Sequence, residues 1–316
     1  MKLSEVDKKL LTYLYHHYRE PLTKIAKACN ISRDQVEYRM EKYEREGLIR
    51  KYLTIFNYNI LGFNDFLIVW LKIKNNKEKI IKELEGMKSV LSVGEAIPDY
   101  DLYVNFICKD KNDFDSVFSN FLKICEEDIS KYEIMIITYA EFFPLKIFGS
   151  SREEKSYPVV KKIEKMSLSE KDYLILKKLE QNGRARIIYI AKETKMSAEL
   201  ALYKIRQLHK KQVILGTRIQ FDMAKLGFYF ASIKLNLKNI TEETKNKIIS
   251  FCKEHHYINA LAFGISEYNC LIQLFYQTDE ELRRTIKEIR NKFKDEIQKD
   301  SLLLIENEGR ARTLPY

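Results

Sequence analysis

Leu3-Ser4-Glu5-Val6-Asp7 returns as Leu168-Ser169-Glu170-Lys171-Asp172, and the same shift of 165 carries Ile25-Ala26-Lys27 onto Ile190-Ala191-Lys192 and Leu61-Gly62-Phe63 onto Leu226-Gly227-Phe228. From Leu3 to Ile68, 18 of 66 positions are identical under this shift, without a gap. A period this long means that one folded unit was duplicated. Any reading of one copy can therefore be checked on the other.

Within that stretch, Ser4 to Asp7 and Ser169 to Asp172 have the form of a capping box, a Ser oxygen facing early backbone N–H groups and a carboxylate at the third helical position. Leu10, Leu11 and Leu14, and likewise Ile175, Leu176 and Leu179, follow at helical spacing and predict a first helix with one buried stripe. A short helix from Thr23 to Cys29 and a longer one from Arg33 to Glu46, ending at Gly47, are separated by Asn30-Ile31-Ser32. Two helices joined by a tight turn, the second capped by Ser, make a helix-turn-helix. If Ile31, Val36, Met40 and Tyr43 form its inner stripe, Ser32, Arg33, Gln35, Tyr38, Arg39 and Lys42 face outward, where they suit base edges and phosphates. Leu48 to Phe56 is β-prone and predicts a two-stranded wing with Arg50-Lys51 at its turn, beside the phosphate backbone. The second copy keeps Ser197, Tyr203 and Lys204 on the outward face and adds Lys210, Lys211 and Arg218, a set better suited to clamping phosphates than to reading bases.

Charge follows the same division. Residues 1–60 carry 12 Lys/Arg against 8 Asp/Glu and residues 165–227 carry 14 against 6, whereas 66–143 carry 10 against 14 and 228–309 carry 12 against 13. The front of each copy is the part suited to an acidic partner such as nucleic acid.

The back of each copy has another rhythm. Phe66 to Ile73 is a continuous apolar strand containing Trp70; then come a helix (76–88), a strand (90–96), a turn at Pro98-Asp99-Tyr100, a strand (101–108), a helix (114–129) and a strand (132–143). This β-α-β-β-α-β order is ferredoxin-like, and residues 230–306 repeat it. The fold class is thus α+β, a tandem of winged helix-turn-helix and ferredoxin-like (βαββαβ) units duplicated in one chain. The units divide at 1–62, 63–147, a linker 148–166, 167–227, and 228–316 with a basic tail from Arg310.

The run from Ile31-Ser32 to Gly47-Leu48-Ile49, with Tyr52, Asn57 and Leu61-Gly62, resembles the N-terminal winged helix of the Lrp/AsnC (feast/famine) transcription regulators. The resemblance implies that Arg33, Gln35, Tyr38 and Arg39 read double-stranded DNA. It also implies that the ferredoxin-like units dimerise and bind a small effector such as an amino acid, here through Asp99, Tyr100, Asp101, Tyr268 and Asn269. The family's hairpin glycine is replaced by Pro98 and Ser266. Two chains pair in that family, so a fused duplicate implies an intramolecular pseudo-dimer with two unequal halves, able to self-associate further.

Other chemistries find little footing. Cys29, Cys108, Cys125, Cys252 and Cys270 form no Cys-x-x-Cys pair, which predicts buried, inert thiols. His16-His17 and His255-His256 are adjacent pairs and chelate badly on a helix, so no metal is expected. No Gly-x-Gly-x-x-Gly, phosphate loop or Gly-x-Ser-x-Gly elbow occurs. The segments Phe56…Leu61-Gly62 and Phe221…Leu226-Gly227 also resemble siroheme decarboxylases, but the His-Asn-Tyr stretch of those enzymes is replaced by Val93-Gly94-Glu95-Ala96 and Phe263-Gly264-Ile265-Ser266. The sequence therefore predicts a protein that is not an enzyme and holds no cofactor. An interaction or effector-sensing protein that no longer touches DNA is the other alternative. No apolar run reaches membrane-spanning length and no signal-peptide core opens the chain, which predicts a cytoplasmic protein.

Overall fold

The computed structural model describes residues 3–149, 156–158, 166–309 and 311–315. Most of the expected linker lies outside the described residues. The first copy runs α1 (Glu5–His17), α2 (Leu22–Cys29), α3 (Arg33–Arg45), β1 (Ile49–Phe56), β2 (Asp65–Ile73), α4 (Lys77–Gly86), β3 (Val90–Ile97), β4 (Leu102–Cys108), α5 (Lys111–Cys125) and β5 (Ile129–Phe142). A short strand β6 (Tyr157–Pro158) follows and pairs with the end of β5. The second copy repeats the order with α6 (Glu170–Gln181), α7 (Ile187–Glu193), α8 (Ala198–Lys210), β7 (Ile214–Phe221), β8 (Tyr229–Leu237), α9 (Glu242–Glu254), β9 (Ile258–Ile265), β10 (Cys270–Tyr276), α10 (Asp279–Lys292) and β11 (Ile297–Glu308).

Local chemistry sets the helix ends as the sequence indicates. Ser4 and Asp7, and Ser169 and Asp172, form reciprocal capping boxes at the starts of α1 and α6. Ser32 caps α3 with Gln35 completing the box, and Ser197 caps α8. Gly47 follows α3 at φ +66°, the left-handed conformation in which a side chain would be strained.

The strands carry the architecture. β5-β2-β4-β3 is one four-stranded antiparallel sheet and β11-β8-β10-β9 the other. They meet edge to edge twice, β3 on β11 and β9 on β5, so the eight strands close on themselves. The two seams match: Ile97 opposes Leu304 in one and Ile265 opposes Ile136 in the other, each residue moved by 168 positions. Closure leaves none of these eight strands with a bare edge. Helices α4 and α5 cover the outer face of the first sheet through Ile80, Leu84, Phe118 and Phe121. Helices α9 and α10 cover the second through Ile248, Cys252 and Ile289.

The wing departs from expectation. Residues 49–56 form one strand, and its partner is β7 of the other copy, giving a two-stranded antiparallel ribbon that spans both copies. Arg50 and Lys51 therefore sit at no turn. Arg50 pairs with Asp222 at 2.9 Å and donates to the Glu308 carbonyl at 2.7 Å. Lys51 is buried, 2.7 Å from Glu180 and 3.0 Å from the Ala311 carbonyl. Both are corrected as phosphate contacts, because neighbours from the other copy already hold them. Gly183 shows how closely the copies meet: an added Cβ would lie 2.2 Å from the Tyr18 hydroxyl and 2.6 Å from the Tyr52 carbonyl.

The expected basic tail is also placed differently. Arg312 donates to the carbonyls of Glu85 (2.6 Å) and Met87 (3.2 Å) at the C-terminal end of α4, where the helix leaves carbonyl oxygens that accept from side chains. Leu314 is fully buried.

Inside the barrel one buried ion pair joins the copies. The Lys234 ammonium lies 2.6 Å from Glu133 and is 4.2, 4.9 and 4.5 Å from the rings of Trp70, Tyr100 and Tyr268. Tyr100 and Ser266 donate to the same carboxylate at 2.7 and 3.0 Å. Trp70 is thus a core residue and the floor of this box. Removing one partner strands the other in low dielectric, so Lys234→Ala should cost about 3–5 kcal/mol in urea unfolding. A loss below about 1 kcal/mol, the scale of an exposed pair, would show that water reaches Glu133 freely.

Candidate nucleic-acid interface and central cavity

The two helices expected to contact DNA, α3 as reader and α8 as phosphate clamp, present their N-terminal halves outward. On α3, Ser32 and Gln35 are exposed but bonded to each other: the Gln35 N–H donates to Ser32 Oγ at 3.1 Å, and the Ser32 N–H donates to Gln35 Oε1 at 3.0 Å. Arg33 is exposed and leans on Glu37 at 3.3 Å, Tyr38 is 63% exposed, and Lys42 lies 4.0 Å from Glu46. On α8, Tyr203 is 58% exposed, and Lys210 at the helix end and Lys211 just beyond it are exposed as well.

Two of the expected DNA contacts have a structural task. Arg39 forms an ion pair with Asp7, and the Tyr43 hydroxyl donates to the same carboxylate at 2.6 Å. At the equivalent places of the second copy, Lys204 lies 2.8 Å from Asp172 and 3.1 Å from Ser169. These cations brace the reading helix against the first helix, so Arg39 and Lys204 are corrected as outward-pointing DNA contacts. For Asp7, burial by itself would raise the carboxyl pKa, but the Ser4 and Tyr43 hydrogen bonds and the Arg39 charge outweigh it and hold the group at about 2.

Arg218 is corrected most sharply. It points inward from β7, its guanidinium 4.3 Å from the Phe142 ring and 5.5 Å from that of Tyr15. There it lines a cavity of about 150 Å³ between the ribbon and the mouth of the barrel. The walls are mainly apolar, among them Leu53, Ile55, Phe66 and Ile68, with residues 311–313 closing one side. Of the acids nearby, Glu308 has its carboxyl pKa raised by burial, against the pull of Arg218 and Arg50.

The hairpin residues expected to hold an effector are also occupied. Asp101 accepts from the Ile73 N–H at 2.7 Å and pairs with Lys72 at 2.9 Å. Asn269 does the same work in the second copy, bonding both the N–H and the carbonyl of Leu237 at 2.9 Å. Asp99 accepts from Ser301 at 3.0 Å, Tyr100 from its hydroxyl binds Glu133, and Tyr268 lies under Lys234 and Lys299. These five side chains tie hairpins to strands, which corrects their assignment as an open effector site.

The remaining candidates fall into place. All five cysteines are buried, and burial pushes Cys29 up to about 11 and Cys108 up to about 12. Among the described residues no group of three or more His, Cys, Asp or Glu could hold a metal ion, and no helix is long and apolar enough to cross a membrane. The sequence reading missed the cavity and the role of His16, which is buried in α1 with Nδ1 2.8 Å from the Thr217 carbonyl of the ribbon. A His among the apolar residues of a helix was its only sequence signal.

Known proteins resemble this chain at two scales, one domain and the whole length. Residues 3–50 match the winged helix-turn-helix DNA-binding family. The HTH-type transcriptional regulator FL11 of Pyrococcus abyssi is 26% identical over 117 residues, 37% of this chain and 78% of that protein. Regulatory protein AsnC of Haemophilus influenzae is 24% identical over 127 residues, 40% of this chain and 85% of its own length. The chain is thus related in sequence to DNA-binding regulators of the Lrp/AsnC type and opens with a winged helix-turn-helix domain. The crystal structure of the siroheme decarboxylase NirDL aligns along 99% of this chain and 94% of its own, with TM-score 0.64 and 15% identity. That likeness overturns the expectation of a protein that is not an enzyme: the whole architecture is one that an enzyme also uses.

Acid should weaken the fold in two windows. Burial, opposed in part by the Thr217 carbonyl, depresses the His16 pKa to about 4. The unfolded chain therefore takes up that proton first, and stability falls as pH drops from the ordinary histidine value of about 6.5 towards 4. Asp7 stabilises the fold above its ordinary carboxylate value, and this contribution is lost as pH falls through about 2. His16→Gln, the residue that Gln181 provides at the equivalent place, should shrink the upper window and leave the lower one. Urea midpoints measured against pH test this, and an unchanged upper window counts against the assignment.

Proposed function

We propose that the chain is a double-stranded DNA-binding transcription regulator of the Lrp/AsnC type that acts as a single-chain pseudo-dimer. In this reading, residues 1–62 and 167–227 are two unequal DNA-contacting units carried by the pairing units 63–147 and 228–316. The observation that carries it is the placement of α3 and α8, equivalent helices that expose Arg33 and Tyr38 on one side and Tyr203, Lys210 and Lys211 on the other. The relatives in sequence, which are named as regulators, support the same reading. On α3, Arg33 and Tyr38 make the base contacts, while Lys42 meets phosphate. On α8, Ser197, Tyr203, Lys210 and Lys211 hold the backbone.

Lys210→Ala combined with Lys211→Ala should weaken binding to all duplexes alike and lower the slope of log affinity against log salt by about one for each phosphate no longer neutralised. Arg33→Ala should cost about 1–3 kcal/mol on a selected site and little on random duplex. Mobility-shift titrations over a salt series measure both. Affinity that is independent of salt would remove DNA as the ligand.

The whole-length likeness to NirDL favours a second reading, an enzyme acting on a tetrapyrrole. A macrocycle exceeds a cavity of about 150 Å³ as it stands, so this reading needs the ribbon to lift from the barrel. A strong absorption band near the violet after mixing the protein with an iron tetrapyrrole supports it, and a spectrum equal to the sum of its parts removes it.

A further inference from the structure

The ribbon pairs Leu53 directly with Arg218, and these two positions are equivalent under the 165-residue repeat. The approximate twofold axis relating the copies therefore runs through this pair. One copy places an apolar side chain on the axis and the other a cation. Both line the central cavity.

Arg218 is an unusual cation for such a place. It forms no ion pair within 4.0 Å among the described residues, and its Nε–H is buried without an acceptor. Its main support is the face of Phe142. Glu308, whose carboxyl is held towards its neutral form by burial, offers weak compensation. A half-buried guanidinium whose Nε–H is out of reach of water and meets no acceptor is costly unless a ligand meets it, and its planar fork is shaped for a carboxylate. The rest of the wall selects the other end of such a ligand. Leu53, Ile55, Phe66, Ile68 and Leu271 offer apolar surface, and Gln273 adds an amide. A volume of about 150 Å³ matches cavities that take a guest of about benzene size.

We propose that this cavity binds one small monocarboxylate with a compact apolar tail, its carboxylate on Arg218 and its tail against the barrel mouth. The inference concerns ligand binding alone and stands whether or not the chain binds DNA. Since only one copy carries the arginine, the stoichiometry is one per chain.

Calorimetric titration of the full chain with 4-methylpentanoate, 4-methyl-2-oxopentanoate and leucine tests it, with neutral 4-methylpentanamide as the matched control. At least one carboxylate should bind one to one and raise the thermal midpoint, while the amide should not. Which of the three binds distinguishes a fatty, keto or amino acid source. Arg218→Leu, which repeats the residue at position 53, should weaken binding about ten- to hundredfold. Ala262→Leu, which fills the cavity from β9 without touching the cation, should also weaken it, so a misfolded Arg218 variant does not leave the question open. Equal binding of acid and amide, undiminished binding by a folded Arg218→Leu chain, or no binding by any of the three acids overturns the proposal.

Discussion

Unpaired strand edges are the constraint on which the rest of this structure depends. Taken alone, one copy would leave both edges of its four-stranded sheet open and β1 with no partner. Each exposed backbone N–H and C=O along those edges is costly to bury unpaired and prone to stray pairing when exposed. The second copy supplies every missing partner: β11 for β3, β9 for β5, β7 for β1. The copies are therefore not beads on a string. Their mutual register fixes where α3 and α8 stand, and the covalent connection keeps the partner at high effective concentration.

Closure about an approximate twofold axis also explains why duplication in one chain differs from pairing of two identical chains. Positions near the axis face their own equivalents. The pairing of Trp70 with Tyr103 and of Lys234 with Leu271 makes Trp70 and Lys234 equivalent, and here they stack on each other at 4.2 Å. Two identical chains would place two ammonium groups or two indoles there. Leu53 and Arg218 repeat the pattern at the ribbon. Two arginines in that setting would repel in a poorly hydrated space, whereas one arginine facing leucine can be supported by an aromatic ring. Gly216, equivalent to Lys51, makes room for Tyr157, since an added Cβ would lie 2.3 Å from its ring. Fusion thus permits residues near the axis that a symmetric dimer would not tolerate.

How much of this the sequence revealed follows from the range of the forces involved. Capping boxes and apolar periodicity are local, so α1, α3 and α6 and the βαββαβ order were legible. Helix α5 begins at Lys111, three residues before the apolar run at Phe114 suggests, because Asp110 caps it. Strand identity was legible but strand partner was not: the alternation in residues 49–56 is the same whether the neighbour comes from a hairpin or from another copy. Hence Arg50 and Lys51, two adjacent cations on a β-prone stretch, looked like a turn beside phosphate. Asp222, Glu180 and the Ala311 carbonyl, far away in sequence, were what they met. The cavity was invisible for the same reason, its walls being drawn from both copies and from the C-terminal residues.

The two reading helices show what the second copy was free to change. Helix α3 carries four basic and four acidic side chains, and several pair along its surface, as Arg33 does with Glu37. A balanced face of this kind adds little to nonspecific attraction for phosphate, so any preference it has must come from where individual donors lie. Helix α8 carries three basic residues and one acidic, with Lys211 just beyond, which raises attraction without adding geometry. What both copies retain is the brace, Arg39 on Asp7 and Lys204 on Asp172. Keeping the brace while the outer face diverged separates the two demands on the helix: its orientation is fixed from inside, by a charge pair beneath the first turn of α1 or α6. The chemistry it presents outward can then differ between the copies without disturbing the fold.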